Sequence, residues 1–469
     1  MGSSERTFTL SDQLWFGAVS GDRNPIHVDP DWAAVNFPGE IVVHGAFALL
    51  WAIDCAAKLV PDAVIGQINV TFVQPILIGD CVRLDVDRSA SLLRLFVQDH
   101  LMMVARIGPG SAGPPDLDAV TPAQDPALPL ASRAFADLKG LKGSIPTAVD
   151  QTALAAAFPM AVSAMGPRMA AGLARISGLV GMECPGHRSM SSEYSVEAAP
   201  DVAPERLDYE VTRTDRRFCR VEMSVAGSGL RGSLSAYRGQ EEAEPSTEEI
   251  ARSVLPGSFA GAEPLIIGGS HGLGAAAARL LAAGGARPWI TWQRSPTSAE
   301  RVGDLILAGG GACHMSPFDT EHADAGFAAL ANGGWAGKQI YYFATPRIVR
   351  RRLDGDRASD LASFRSVYID QFATFAKGLR QMRGAASLSV FYPSDEAVIQ
   401  PTAPLTEYAK AKLEGELLCE QLAATDPDLE IIVGRVQRAR TRQMQVIGLP
   451  DGVSAHEAIL PWLARVQGR

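Results

Sequence analysis

The sequence predicts a multidomain chain, α+β through its first half and α/β in its C-terminal part. Its 469 residues exceed what one ordinary core organises. The order helix, then four strands, occurs twice before residue 240. From Glu263 a short apolar strand runs into a glycine turn and an Ala/Leu helix, the repeating unit of a parallel sheet. A hydrophobic fraction of 47% and a charged fraction of 20% let each domain bury a core of its own. The expected domains are 1–115, 130–240 and 259–469, parted by a Pro/Gly/Asp-rich stretch over 108–129 and an acidic, Ser/Pro-bearing stretch over 240–258 that holds Glu241, Glu242, Glu244, Glu248 and Glu249.

Composition narrows the function classes. A formal charge of −9 without a Lys/Arg block argues against a nucleic-acid surface. No apolar run approaches the ~18 residues that span a bilayer, and the N-terminus lacks a signal-peptide layout, so a cytoplasmic protein that binds no membrane is expected. The six cysteines, at 55, 81, 184, 219, 313 and 419, show no Cys-x-x-Cys spacing and read as reduced core thiols. The eight histidines form no ligand spacing, and no metal site is proposed. Small molecules are the expected partners.

In order along the chain, Ser20 to Asp29 comes first. Asp22 and His27 stand five residues apart around a turn made by Asn24 and Pro25, a carboxylate and an imidazole able to hold one water and move its protons. Seventeen residues after His27, Val43-His44-Gly45-Ala46-Phe47 reads as a strand-to-helix junction that opens a buried helix running through Trp51. Segments 68–73, 82–88, 92–98 and 101–107 then read as strands. In the second copy, 153–180 is an Ala/Met-rich helical region, and 182–196, 207–214, 217–225 and 230–238 are strand-like, with no Asp-x-Asn-Pro-x-His. His187, in Cys184-Pro185-Gly186-His187, reads as part of a turn before a strand.

The last domain opens on a glycine loop that fits a dinucleotide. Gly268 allows a tight turn, Gly272 lets the backbone approach a pyrophosphate, and Gly274 allows close helix packing, with Ser270 and His271 between them. The strand over 288–293 ends at Arg294 without an acidic residue, and a cation there suits a 2′-phosphate. Ser394 ends a buried strand. Tyr408 and Lys412 are i, i+4 neighbours on one helix face, 140 residues beyond Gly268. Arg435 to Thr441 form a basic segment whose charges either meet phosphate or face solvent.

The Asp22 to Asp29 motif and the His44-Gly45 step resemble the MaoC-like, R-specific enoyl-thioester hydratases of the hotdog fold, over the first ~110 residues, a plausible size for one compact unit. That resemblance implies that Asp22 and His27 form a catalytic dyad and that the Gly45 amide polarises the thioester carbonyl. The two copies together resemble a double hotdog with one catalytic half. The Gly-x-x-x-Gly-x-Gly loop and Tyr-x-x-x-Lys resemble the short-chain dehydrogenase/reductase superfamily, with its Rossmann-type doubly wound parallel sheet. This second resemblance implies that Ser394 holds a carbonyl oxygen, that Tyr408 gives the proton, and that Lys412 lowers the phenol pKa and holds the nicotinamide ribose. With Arg294 the cofactor expected is NADP(H). Two departures stand out: Asp370 takes the place of the family's helical asparagine, and Ser394 lies 14 residues before Tyr408, one more than the commonest spacing.

Both resemblances together imply a bifunctional enzyme; the alternatives are a hotdog hydratase whose reductase domain is degenerate and only binds a nucleotide, and a non-catalytic acyl-carrier docking scaffold. The bifunctional enzyme would reduce a 3-oxoacyl thioester to the 3-hydroxyacyl thioester and interconvert that with the 2-enoyl thioester, the acyl group carried by CoA or acyl carrier protein. A homodimer through the reductase helices is usual for the superfamily, while the internal repeat removes one reason to dimerise.

Overall fold

The computed structural model describes residues 4–36, 38–60, 63–89, 91–109, 128–239, 244–346, 348, 357–401, 405–441 and 452–468. Most of the 108–129 linker, and Glu241 and Glu242 of the acidic boundary, lie outside the described residues. Two compact units carry the rest, one within 1–240 and the other within 241–469.

The first unit is built on one antiparallel sheet of ten strands. They are β1 (Ser4–Thr7), β2 (Gln67–Phe72), β3 (Cys81–Asp87), β4 (Leu92–Val97), β5 (His100–Gly108), β6 (Lys142–Pro146), β7 (Ser189–Ala198), β8 (Arg206–Asp215), β9 (Arg220–Gly227) and β10 (Leu230–Arg238). From the middle outward, one side runs β2, β5, β4, β3, β1 and the other β7, β10, β9, β8, β6, so both halves have the same connectivity. The halves join where β2 pairs antiparallel with β7, from Gln67 opposite Glu197 to Thr71 opposite Glu193. Alternation decides which face is covered: Leu93, Leu95 and Val97 of β4 are buried.

Helices fill the covered face. Gly45–Leu59 has every residue from Ala46 to Asp54 buried, the mark of a central helix. Its counterpart in the second half is broken. Gln151–Ala157, Pro159–Met165 and Pro167–Gly178 are separate helices, because Pro159 and Pro167 each suit only a first turn and Gly166 between them takes φ 80°. A wider turn over Leu179–Glu183 follows, and β7 begins only at Ser189, so the strand expected from 182 starts seven residues late.

One hydrophobic cluster runs through both halves. Phe16 stacks on Phe47 at 5.0 Å, and Phe158 of the second half meets Phe47 edge-on at 5.8 Å. Each such buried ring contributes about 1.5–3 kcal/mol, so the halves share one core.

The second unit carries a parallel sheet of six strands: β11 (Leu265–Ile267), β12 (Trp289–Trp292), β13 (His314–Pro317), β14 (Gln339–Tyr342), β15 (Leu388–Asp395) and β16 (Leu429–Val436). Their order, β13-β12-β11-β14-β15-β16, reverses direction between β11 and β14. Such a switch point opens a crevice beyond the strand ends, and the glycine loop after β11 lies there.

Candidate active site

In the first unit, a chain of caps positions the polar groups. Thr9 and Asp12 cap the Leu10–Ser20 helix reciprocally, and Gly21 ends it at φ 78°, a left-handed conformation that suits glycine. Asp22 follows directly. Asn24 then caps the short Pro25–Val28 helix, which carries His27, and Asp29 caps the next helix through Trp32 N–H at 3.0 Å. Asn24 and Asp29 are thus helix caps, while Asp22 accepts the Asn24 amide at 3.2 Å within the turn between the helices.

Asp22, 1% exposed, lies at the meeting of several elements. His27 Nε2 stands 4.0 Å from its Oδ2, and His44 Nε2 stands 3.9 Å from the same oxygen. The His27 and His44 rings stack at 4.0 Å. His27 Nδ1 lies 2.7 Å from the Val42 carbonyl, which can only accept, so Nδ1 carries the proton and Nε2 is turned toward Asp22. The second half closes the site. Ser177 Oγ donates to Asp22 Oδ2 at 2.6 Å, and Asn24 Nδ2 donates to the Gly181 carbonyl at 2.8 Å. A Cβ on Gly181 would sit 2.1 Å from Asp22 Oδ1, so only glycine admits the carboxylate there.

Burial pushes the Asp22 carboxyl up from its ordinary range, and His27, the Ser177 hydroxyl, the Asn24 amide and Arg175 pull it back. Burial, with His27 beside it, holds the His44 imidazole well below its usual range. Gly45 opens the central helix, whose start has no side-chain cap, and a Cβ on it would meet the Phe72 ring at 2.8 Å. Such a helix start offers amides to developing negative charge. The sequence singles out Asp22, His27 and Gly45 and gives Asn24 as a turn residue, which its capping role matches, but it assigns no part to His44, Ser177 or Arg175. For His44 the signal was present, since it precedes Gly45; Ser177 lies 155 residues from Asp22 in a half without a motif.

In the second unit the expected set is only partly assembled. Gly268 takes φ 78° and Gly272 φ 53°, and a Cβ on Gly274 would meet the Gly268 carbonyl oxygen at 2.2 Å, so the loop needs glycine at all three positions. The Gly272–Ala283 helix has no side-chain cap at its start, and Ser270 Oγ lies 3.0 Å from His271 Nδ1. Arg294 is exposed beyond β12.

Ser394 departs from expectation. It lies one position before the end of β15, and its hydroxyl meets the Thr406–Thr425 helix two turns beyond Tyr408, donating to Glu416 at 2.5 Å. Arg435 donates to Glu416 as well, at 3.0 and 2.7 Å, so the first cation of the basic segment belongs to an internal ion pair. Asp395, at the strand end, takes the place beside the phenol: Tyr408 Oη donates to its Oδ2 at 3.1 Å. Burial, then Tyr368 and Asp395, push the phenol well above its ordinary range. Lys412, 4% exposed, donates to the Pro393 carbonyl at 2.6 Å and lies 3.7 Å over the Tyr368 ring, and burial pushes its ammonium down to about 7. Asp370 is exposed, and Tyr368 is the residue its helix turns inward.

Residues 2–95 match the MaoC like domain family. A 3-hydroxybutyryl-CoA dehydratase of Methylorubrum extorquens is 32% identical over 85 residues, which are 18% of this chain and 54% of that protein. The chain thus spans about half the length of that curated relative. Among solved structures, a short chain dehydrogenase from Burkholderia cenocepacia in complex with NADP is 19% identical, covering 45% of this chain and 91% of its own, with a TM-score of 0.39. A 3-oxoacyl (acyl-carrier-protein) reductase from Agrobacterium tumefaciens with NADP bound is 20% identical, covering 44% and 87%, with a TM-score of 0.38. Among the described residues, no helix is long and apolar enough to cross a membrane.

Proposed function

We propose that the first unit interconverts a 3-hydroxyacyl thioester and a 2-enoyl thioester by removal and addition of water, its acyl group carried by CoA or acyl carrier protein. The observation that carries this reading is the convergence of Asp22, His27 and the Gly45 helix start in residues that match a MaoC like domain. In hydration, water held by Asp22 and His27 adds its oxygen to Cβ and loses one proton to them. The electrons of the C=C bond move toward the carbonyl, whose oxygen is held by the Gly45 amide. A proton then reaches Cα, and the thioester is regained. Dehydration reverses each step. The 1–115 segment is the catalytic hotdog in this reading, and 130–240 is its non-catalytic repeat, the two forming a double hotdog.

The second unit, 259–469, is proposed to bind NADP(H). Gly268, Ser270, His271, Gly272 and Gly274 would face the pyrophosphate, Arg294 the 2′-phosphate, and Lys412 the ribose. The uncapped start of the Gly272–Ala283 helix fits a bound phosphate. The nucleotide supplies hydride chemistry when bound. Tyr408 would deliver the proton to a 3-oxoacyl substrate, whose product the first unit then dehydrates. A second reading has support of its own: with Asp395 beside Tyr408 and Ser394 turned to Glu416, the unit binds a nucleotide without reducing a ketone.

Mass spectrometry of products from a short 3-oxoacyl-CoA and NADPH, with crotonyl-CoA supplied separately, tests both. Enoyl-CoA formed from the ketone supports the two-step enzyme. Hydrated crotonyl-CoA with an untouched ketone supports the second reading, and unchanged crotonyl-CoA rejects the hydratase.

A further inference from the structure

Arg175 is a fully buried arginine on the Pro167–Gly178 helix of the half that lacks the motif. A guanidinium out of water is strongly unfavourable unless charge and hydrogen bonds compensate it. Two backbone carbonyls do so in part: its Nε donates to Pro146 at 2.7 Å and its Nη1 to Ser20 at 2.8 Å. The Ser20 contact matters most, because Ser20 is two residues before Asp22 and its own hydroxyl accepts from the Asp22 amide at 3.2 Å. The same helix, two residues on, brings Ser177 to the carboxylate itself.

Asp22 is a buried carboxylate that must be ionised at neutral pH to accept a proton. Its titratable and charged neighbours are few. His27 comes from its own segment and His44 from the start of the central helix. Arg175 comes from the Pro167–Gly178 helix and the Tyr194 phenol from β7. His27 is not a fixed charge, since it exchanges protons in the reaction proposed above. Burial holds His44 neutral and pushes the Tyr194 phenol up, leaving it neutral too. Burial lowers the Arg175 guanidinium only to about 10, so among these groups it alone keeps a permanent positive charge at neutral pH.

We propose that Arg175 is a positioning residue of the hydratase site: it fixes the Ser20–Asp22 turn and supplies the counter-charge that keeps Asp22 ionised. The second half thereby completes the site electrostatically. This rests on the hydratase reading of the first unit.

The test is the pH dependence of crotonyl-CoA hydration for the wild type, Arg175→Met, Arg175→Lys and Asp22→Asn, with thermal melts of each. Without the counter-charge the carboxyl takes its proton at higher pH. In Arg175→Met, the acid limb of kcat/KM should move up by about one pH unit, kcat/KM at a fixed pH on that limb should fall by up to about tenfold, and activity should recover toward alkaline pH. Arg175→Lys should keep the acid limb in place. A Met variant with lower activity at every pH and an unmoved acid limb would mean a packing role only, and overturns the proposal. Should the Met variant not fold, infrared difference spectra of wild type minus Asp22→Asn at pH 7 decide the matter. Carboxylate bands support the proposal and a protonated carboxyl band overturns it. Failure of the underlying reading looks different: the wild type itself then hydrates nothing.

Discussion

The two candidate sites of this chain hold similar kinds of groups in opposite states of readiness. Around Asp22, backbone carbonyls hold Asn24 and His27, a serine of the second half donates to the carboxylate, and two imidazoles face it. Around Tyr408, the side chains engage one another. Ser394 is bonded to Glu416, Glu416 to Arg435, Tyr408 to Asp395 and Lys412 to a strand carbonyl. The lesson is that residues of the right kind in the right order specify a site only when packing turns the reacting groups toward one another. A shift of one residue along β15 is enough to exchange a hydroxyl for a carboxylate beside the phenol.

The largest expected effect breaks the first site. Asp22→Asn and His27→Asn should each lower crotonyl-CoA hydration by about two to four orders of magnitude, the scale of general acid–base catalysis, in a spectrophotometric assay. Next, Asp395→Ser sharpens the contrast between the sites. Removing the carboxylate and restoring a donor should raise NADPH-dependent reduction of a 3-oxoacyl-CoA by about tenfold or more, since one oxyanion donor is worth about 10²–10³. An unchanged rate would mean that Asp395 is not what restrains the second site.

A smaller effect concerns Lys412. With its ammonium near pH 7, it is charged below that value and neutral above it. NADPH binding measured by calorimetry should therefore weaken between pH 6 and 8, by roughly tenfold at most per pH unit, and Lys412→Met should abolish that dependence. The smallest is in stability. The folded-state pKa of Asp22 is raised above the unfolded value of 3.8, so the native state binds more protons there and stability falls as pH rises through that window. Asp22→Asn removes that cost, and at pH 7 its urea midpoint should exceed that of the wild type.

These contrasts also mark what the sequence could express. Alternation in Leu92–Val97 and the apolar Gly45–Leu59 run announced strands and a central helix, because period and burial are local. The short edge strands β1 and β6, four and five residues long, carry too little pattern to be read and exist through pairing with β3 and β8. Asp22, His27 and Gly45 were legible because turn and helix chemistry places them within one segment. Arg175 and Ser177 were not, since their meaning comes from an approach across 155 residues. Ser394 was legible as a hydroxyl closing a buried strand, and only the packing of β15 on the Thr406–Thr425 helix brings the adjacent Asp395 to the phenol instead.

The seam between β2 and β7 has a consequence for how such a chain can change over generations. In a homodimer of single copies, every substitution appears twice, and an arginine introduced to serve one site appears at its symmetric twin as well. With both copies on one polypeptide, each half is free to specialise. One can keep the reacting groups while the other sheds them and becomes a dedicated support, at the price of halving the number of sites per pair of copies.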